Sequence, residues 1–238
     1  MEYVTTFERN EKKYKLNRDQ YRGLMQDISP HIDPDEFHLV LVQNLYFDTP
    51  YYDLISTSLQ KPTYKEKLRI RRYGPYRSAD DEVFAEIKKK YKGVVYKRRF
   101  STTLKRAMQL MEGAAEECET QLEKEIASTA SHYRGLSPKM LLTYKRESWV
   151  SKEDHNLRIT FDCDIRWDSR NVALGEGDRG NLLLPKDTLL LEIKCMGGYP
   201  LWLCDSLSHH CIYPGSFSKY GNAFMQDAAK RYEMRLEK

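Results

Sequence analysis

Much of what a 238-residue chain might carry is missing here. No apolar run approaches the roughly 18 residues of a membrane-spanning helix, so no spanning segment is expected. The first residues, Met1-Glu2-Tyr3-Val4-Thr5-Thr6-Phe7-Glu8-Arg9, lack the apolar core of a signal peptide. Cysteine is scarce: five, an odd number, with no Cys-x-x-Cys pair, which suits neither a disulfide framework nor a zinc ribbon. A reducing cytoplasm is the expected setting. Net charge is only +4, too little by itself to mark a nucleic-acid binder or a polybasic membrane anchor. No Ser/His/Asp or Cys/His arrangement suggests itself either. What remains is ordinary globular material, 40% apolar and 31% charged, read as one domain over residues 1–238.

The charge that is present is concentrated. In an extended Lys65-Glu66-Lys67-Leu68-Arg69-Ile70-Arg71-Arg72-Tyr73, alternation places Lys65, Lys67, Arg69 and Arg71 on one face and Leu68 and Ile70 on the other. Like charges stacked along one strand face repel, so they are either fully solvated or hold something polyanionic.

In chain order, a first strand with Thr5, Phe7, Arg9, Glu11 and Lys13 on one face ends near Leu16, where Asn17 can cap a helix through Tyr21, Leu24, Met25 and Ile28. Leu39 to Asp48 reads as a buried strand, with a short helix through Leu54, Ile55 and Leu59 after Pro50. The basic strand follows Pro62. A fourth strand covers Val83 to Lys88, and Gly93 allows a tight return into Val94 to Phe100. Leu104, Met108, Met111, Ala115, Cys118 and Leu122 predict one or two amphipathic helices over about 103–133, packed on the parent domain. Strands resume at Met140–Trp149, Asn156–Asp162 and Leu189–Lys194, with a polar loop over about 168–187. A short helix from Trp202 to Cys211, a turn at Pro214-Gly215 and a helix from about Asn222 complete the pattern. Eight strands, mostly in runs, favour an α+β fold with an antiparallel sheet, and eight is a number that closes into a barrel.

Three strands carry the same element, Glu11-x-Lys13, Glu86-x-Lys88 and Glu192-x-Lys194, with both charges on one face. One reading is a half-buried sheet with a polar outer face. The other follows from the amphipathic helices: if they coat the apolar outside of a barrel, the charged faces point inward. The lining then holds Arg9, Lys13, Lys67, Arg69, Arg71, Lys88, Lys97, Arg146, Arg158, Lys194 and Lys219 against Glu11, Glu86 and Glu192. Uncompensated buried charge costs several kcal/mol per group, so such a lining calls for a polyanion. Guanidinium forks suit phosphate oxygens, and hard carboxylate oxygens suit Mg²⁺ or Mn²⁺.

These residues carry a resemblance. Arg9-x-Glu11-x-Lys13, Leu45-Tyr46-Phe47-Asp48-Thr49, Lys67 through Gly74, Phe84-x-Glu86-Ile87-Lys88, Tyr144-x-Arg146, Arg158-x-Thr160-Phe161-Asp162, Leu191-Glu192-Ile193-Lys194 and Ser216 through Tyr220 resemble the VTC polyphosphate polymerase domain, of the triphosphate tunnel metalloenzymes. The resemblance implies an eight-stranded antiparallel tunnel, covered by helices, in which ATP and Mn²⁺ or Mg²⁺ meet and the γ-phosphate passes to inorganic polyphosphate. It implies phosphate contacts from Lys13, Arg69, Arg71, Lys88, Lys97, Arg146, Arg158 and Lys219, hydrogen bonds from Tyr144 and Ser218, and metal binding by Glu192. Lys67 and Lys194 join the binding set by their place on the same faces, and Glu11 and Glu86 the metal set. Two departures stand out. Related tunnel triphosphatases open with Glu-x-Glu-x-Lys, whereas Arg9 occupies the first position here, which favours polymerase over hydrolase. Ser216 stands where some polymerases have a basic residue, which implies a weaker grip.

A terminal phosphate oxygen is already an anionic nucleophile, so its transfer chemistry needs no general base, whereas hydrolysis needs an oriented water. A tunnel triphosphatase and a non-catalytic polyphosphate-binding module remain the alternatives. ATP, triphosphate and polyphosphate are the expected partners, and no nucleic acid is expected because a closed tunnel excludes a duplex. Gly175-x-Gly177-x-x-Gly180 matches a dinucleotide fingerprint literally but follows no clear strand-to-helix start, so it reads as a loop. Cys204, His209, His210 and Cys211 fit no zinc spacing. Alternation forbids Arg98 and Arg99 from sharing a face, and leaves open which of Lys97, Arg98 and Arg99 joins the lining.

Overall fold

The structure is a computed structural model that describes residues 9–115, 117–175 and 179–236. The Glu176, Gly177 and Asp178 part of the glycine motif, and the Thr5 and Phe7 end of the expected first strand, lie outside them.

The strands are β1 (Arg9–Leu16), β2 (Ile32–Asp48), β3 (Tyr64–Tyr73), β4 (Glu82–Tyr91), β5 (Val94–Thr103), β6 (Ser137–Ser151), β7 (Arg158–Asp168), β8 (Asn181–Leu182) and β9 (Leu189–Met196). The helices are α1 (Arg18–Ile28), α2 (Asp53–Leu59), α3 (Leu104–Met111), α4 (Gln121–His132), α5 (Leu201–His209) and α6 (Lys219–Leu236). The expected α+β, antiparallel architecture is present: eight long strands lie in the order β1-β9-β7-β6-β2-β3-β4-β5, with the short β8 paired to β7. Among the described residues this order has two ends, β1 and β5, and does not close on itself.

The chain divides into two compact units. One comprises the described part of Met1–Val40 with Tyr144–Ile165 and Leu184–Phe217. The other comprises Leu41–Thr143, Arg166–Leu183 and the described part of Ser218–Lys238.

In the first unit β1 pairs with β9 and β9 with β7. Tyr14 and Leu16 of β1, Ile159 and Phe161 of β7, and Leu191 and Ile193 of β9 form one apolar face. Leu24 and Ile28 of α1 and Leu203 and Leu207 of α5 cover it. Helix α1 starts as expected, with a capping box in which Asn17 accepts from Gln20 N and the Gln20 side chain accepts from Asn17 N.

In the second unit Leu68 and Ile70 of β3 stand opposite Ile87 and Ala85 of β4. That face packs on Ala107, Leu110 and Met111 of α3 and on Ile126 and Ala130 of α4. Burying such side chains stabilises by about 1.5–3 kcal/mol each for Leu or Ile, which fixes which strand face turns away from the helices.

Three boundaries differ from the sequence reading, and the choice between one and two helices over 103–133 is resolved. The 103–133 pattern is two helices, with Gly113 in the left-handed region (φ +71°) just after α3 and a Thr120–Glu123 capping box restarting the chain at α4. Helix α6 begins at Lys219, because the Ser218 hydroxyl accepts from Gly221 N and caps the first turn. Strand β2 begins at Ile32 rather than Leu39, its first half being a polar, largely exposed segment that contains Pro34 and reads as loop. The 168–187 loop contains β8, two residues that alternation cannot reveal.

Candidate phosphate and metal sites on two strand faces

In the second unit, the strand face opposite α3 and α4 carries the basic stripe. Lys67 stands opposite Lys88, and Arg69 opposite Glu86. On β5, Lys97 stands opposite Lys88 and Arg99 opposite Glu86. This register answers the question left by alternation: Lys97 and Arg99 share the stripe, while Arg98 turns to the helix side and pairs with Glu125 of α4.

The stripe is withdrawn from solvent at Arg71 and Glu86 and exposed at Lys88, Lys97 and Arg99. Arg71 is 7% exposed and Glu86 1%. Arg69 Nε donates to Glu86 Oε2 at 2.6 Å, its second nitrogen lies 2.5 Å from the same oxygen, and its third donates to the Tyr46 hydroxyl at 2.9 Å. Arg71 donates to Asn44 Oδ1 at 2.9 Å and to the Tyr73 hydroxyl at 3.3 Å. Lys67 Nζ donates to Ser218 Oγ at 3.3 Å. Lys97 Nζ lies 3.2 Å from Glu86 Oε1, an oxygen without a hydrogen-bond partner among the described residues.

The electrostatics follow. Burial pushes the Glu86 carboxyl up, but Arg69, Arg71 and Lys97 outweigh it and hold it down at about 2. Burial also works against the Tyr46 phenolate, yet Arg69, Lys67 and Arg71 bring that phenol down to about 8. Lys97 is lowered to about 7, first by burial and then by Arg69 and Arg71, with Glu86 opposing. A site whose cations lower both a phenol and a lysine is set for added negative charge.

Neighbouring contacts hold this stripe in place. Tyr46 stacks on Tyr220 of α6 with centroids 4.5 Å apart. Tyr220 donates to Asp48 Oδ2 at 2.9 Å, and the Asp48 carboxylate also accepts from the backbone N–H of Thr49, Leu54 and Ile55. Asp48 thereby caps α2 and anchors the first turn of α6, which carries Lys219 just after Ser218. Tyr46, Asn44, Asp48, Tyr73 and Tyr220 were not among the expected site residues. The two-residue spacing of Asn44 and Tyr46 opposite Arg71 and Arg69 was the available signal.

The first unit has its own charged face. Lys13 stands opposite Glu192, and Glu11 opposite Lys194. Lys13 Nζ lies 3.4 Å from Glu11 and 3.6 Å from Glu192, and donates to Phe217 O at 3.2 Å. Lys194 lies 4.0 Å and Arg146 3.5 Å from Glu192. Arg146 makes a two-pronged pair with Asp162, at 2.6 and 2.7 Å, and lies over the buried Tyr144 ring at 5.2 Å. Although burial opposes its charge, Asp162 and Glu192 raise Arg146 well above the ordinary range. Arg158 is more solvated, with 52% of its side chain exposed, and lies 3.5 Å from Asp35. Asp162 appears in the sequence motif but was assigned no part; its place at two-residue spacing from Thr160 and Arg158 was the signal. Ser216 is exposed and lines a pocket of about 250 Å³ with Lys13, Lys15 and Phe217.

Whether a divalent cation fits can be judged from the donors. Among the described residues no group of three or more His, Cys, Asp or Glu is gathered to hold a metal. Cys204, His209, His210 and Cys211 form no such group, and His210 Nε2 instead lies 2.9 Å from Asp27. Glu192, 7% exposed, has Lys13, Arg146 and Lys194 within 3.5–4.0 Å, and Glu11 shares its Lys13 contact. A hard cation held by one or two carboxylates and completed by phosphate oxygens and water is the Mg²⁺ pattern, so Glu192 with Glu11 fits it. Glu86 has Arg69 tight on one oxygen and Lys97 beside the other, and in this arrangement serves as the counter-ion of the stripe.

The chain thus combines an antiparallel α+β fold with arginine–carboxylate pairs on helix-backed strand faces. The VTC domain family matches residues 8–226, and the chain belongs to that family. No curated protein matches it. Among solved structures, a provisionally named adenylate cyclase of Vibrio parahaemolyticus is similar, with 14% identity and a TM-score of 0.51 over 91% of this chain and 97% of that one. Another of that provisional name, from Bacillus halodurans, has 14% identity and a TM-score of 0.53 over 87% and 92%. At that identity the likeness shows the fold alone. No helix among the described residues is long and apolar enough to cross a membrane.

Proposed function

We propose that this chain is a metal-dependent polyphosphate polymerase that transfers the γ-phosphate of ATP to inorganic polyphosphate. The observation that carries this reading is the burial of Arg71 and Glu86 on the strand face turned away from α3 and α4. A polar outer face would leave them solvated. The guanidinium groups of buried Arg71 and half-buried Arg69, on the strand face that also carries Lys67, are suited to phosphate oxygens.

In this reading Arg69, Arg71, Lys67, Lys88, Lys97 and Lys219 hold phosphates, and Ser218 orients Lys67. Lys13, Arg146, Arg158 and Lys194 act likewise on the first unit's face, where Tyr144 supports Arg146. Glu192 and Glu11 would hold Mn²⁺ or Mg²⁺ on the first unit's face, and the ion would supply neutralisation of phosphate charge there. A terminal polyphosphate oxygen attacks the γ-phosphorus, the bond from that phosphorus to the β–γ bridging oxygen breaks, and ADP leaves. The cations act by holding the reactants in line and by countering the charge that develops on them. No side chain needs to remove a proton from the nucleophile.

The test is a time course of the purified protein with ATP and Mn²⁺, with and without a short polyphosphate primer, resolving long chains from free phosphate. Long chains are expected. Free phosphate alone would point to a triphosphatase, and tight binding without either product to a binding module.

A further inference from the structure

The basic stripe does not stop at the residues that the proposed chemistry uses. Lys65 stands opposite Lys90 on the same strand face as Lys67 and Lys88, two residues further toward the β4–β5 turn. Lys61 precedes β3, and Lys92 forms the turn itself, both exposed. The other face of the same strands is handled differently: Lys89 lies 4.0 Å from Glu66, and Glu66 accepts from the Tyr133 and Tyr64 hydroxyls at 2.6 and 2.9 Å. A lysine on the helix side is thus given a carboxylate, whereas lysine is placed directly opposite lysine on the stripe. Like charges directly across a ladder are destabilising. Their repulsion is felt: the Lys65 ammonium is disfavoured by burial first, then by Lys90, Lys88 and Lys61. Its Nζ donates to Ser58 O at 3.3 Å, at the end of α2, which steadies the head group without neutralising it.

We infer that Lys61, Lys65 and Lys90 form a rail that continues the phosphate site along the face of β3 and β4 and holds the distal part of a long polyphosphate chain. From Arg71 to Lys65 the strand covers about 20 Å at the usual rise, longer than three linked phosphates. Regular spacing along two strands suits a polymer of repeated charge, and Tyr64 and Tyr91, opposite each other, fall by alternation on the Glu66–Lys89 face, so their rings are not placed to stack bases along the rail. The inference rests on the proposed polyphosphate function, and its test separates the two.

Affinity for tripolyphosphate and for polyphosphate of about 100 units is measured for the wild type and for the triple variant Lys61→Gln, Lys65→Gln, Lys90→Gln, at two salt concentrations. Thermal melting and a Lys→Arg triple variant control for folding. The rail predicts unchanged tripolyphosphate affinity, long-chain affinity weaker by tenfold or more, a shallower salt dependence, and recovery in the arginine variant. Equal long-chain affinity in wild type and variant would overturn the rail. So would single-stranded DNA competing as well as polyphosphate at equal charge, which would make the surface a general nucleic-acid track. Loss of long-chain binding in a protein that never elongates polyphosphate would keep the rail and reject the polymerase.

Discussion

Glu86 and Glu192 begin from the same local pattern, a Glu-x-Lys element on a strand whose opposite face is sealed by helices, and both are buried. Their surroundings differ. Glu86 has an arginine directly across the ladder, which closes to 2.5–2.6 Å and, with Arg71 and Lys97, holds the carboxyl at about 2. Glu192 has Lys13 across the ladder, with Lys13, Arg146 and Lys194 within 3.5–4.0 Å, and Arg146 also forks onto Asp162. A carboxylate gripped by a guanidinium organises that guanidinium. One that faces a lysine across the ladder meets a point charge instead of a planar fork. One motif thus gives a counter-ion in one unit and a candidate metal ligand in the other, and the decision lies in which cation the register places opposite.

The comparison can be broken at the basic stripe first. Replacing Arg71 with Ala removes a buried guanidinium, and charge-assisted hydrogen bonds of that kind are worth about 1.5–3 kcal/mol. Tripolyphosphate affinity by calorimetry should fall by roughly tenfold to a hundredfold. Equal affinity would mean that this face does not hold phosphate.

A smaller effect comes from pH. Lys97, at about 7 in the folded protein instead of its usual 10.5, is mostly neutral at pH 8. A bound phosphate favours the ammonium, so binding takes up a proton above pH 7 and this contribution to affinity declines as pH rises. Below pH 7 the lysine is already charged and contributes no slope. The change in tripolyphosphate affinity between pH 6.5 and 8.5 should therefore differ between wild type and Lys97→Met, with the wild type losing relatively more at the upper end. Parallel profiles would remove Lys97 from the phosphate face.

Much of this was legible in the sequence where one period decides the answer. Alternation in Lys65–Tyr73 gave both faces of β3, and the triplicated Glu-x-Lys gave the charged side of three strands. Other features depend on partners distant in sequence. Asp162 meets Arg146 only once β6 and β7 fold, and Tyr220 lies 172 residues beyond the Asp48 it bonds. The choice among Lys97, Arg98 and Arg99 needed the β4–β5 register and the position of Glu125. The onset of α6 escaped because Ser218 reads equally as loop and as cap.

The central claim, that Glu192 holds a metal while Glu86 organises Arg69, is tested most directly by measuring tripolyphosphate affinity with and without Mn²⁺ in two variants. In Glu192→Gln the strengthening that Mn²⁺ brings to the wild type should vanish while metal-free binding stays. In Glu86→Gln metal-free binding should weaken while the Mn²⁺ increment survives. A full Mn²⁺ increment in Glu192→Gln would contradict the account.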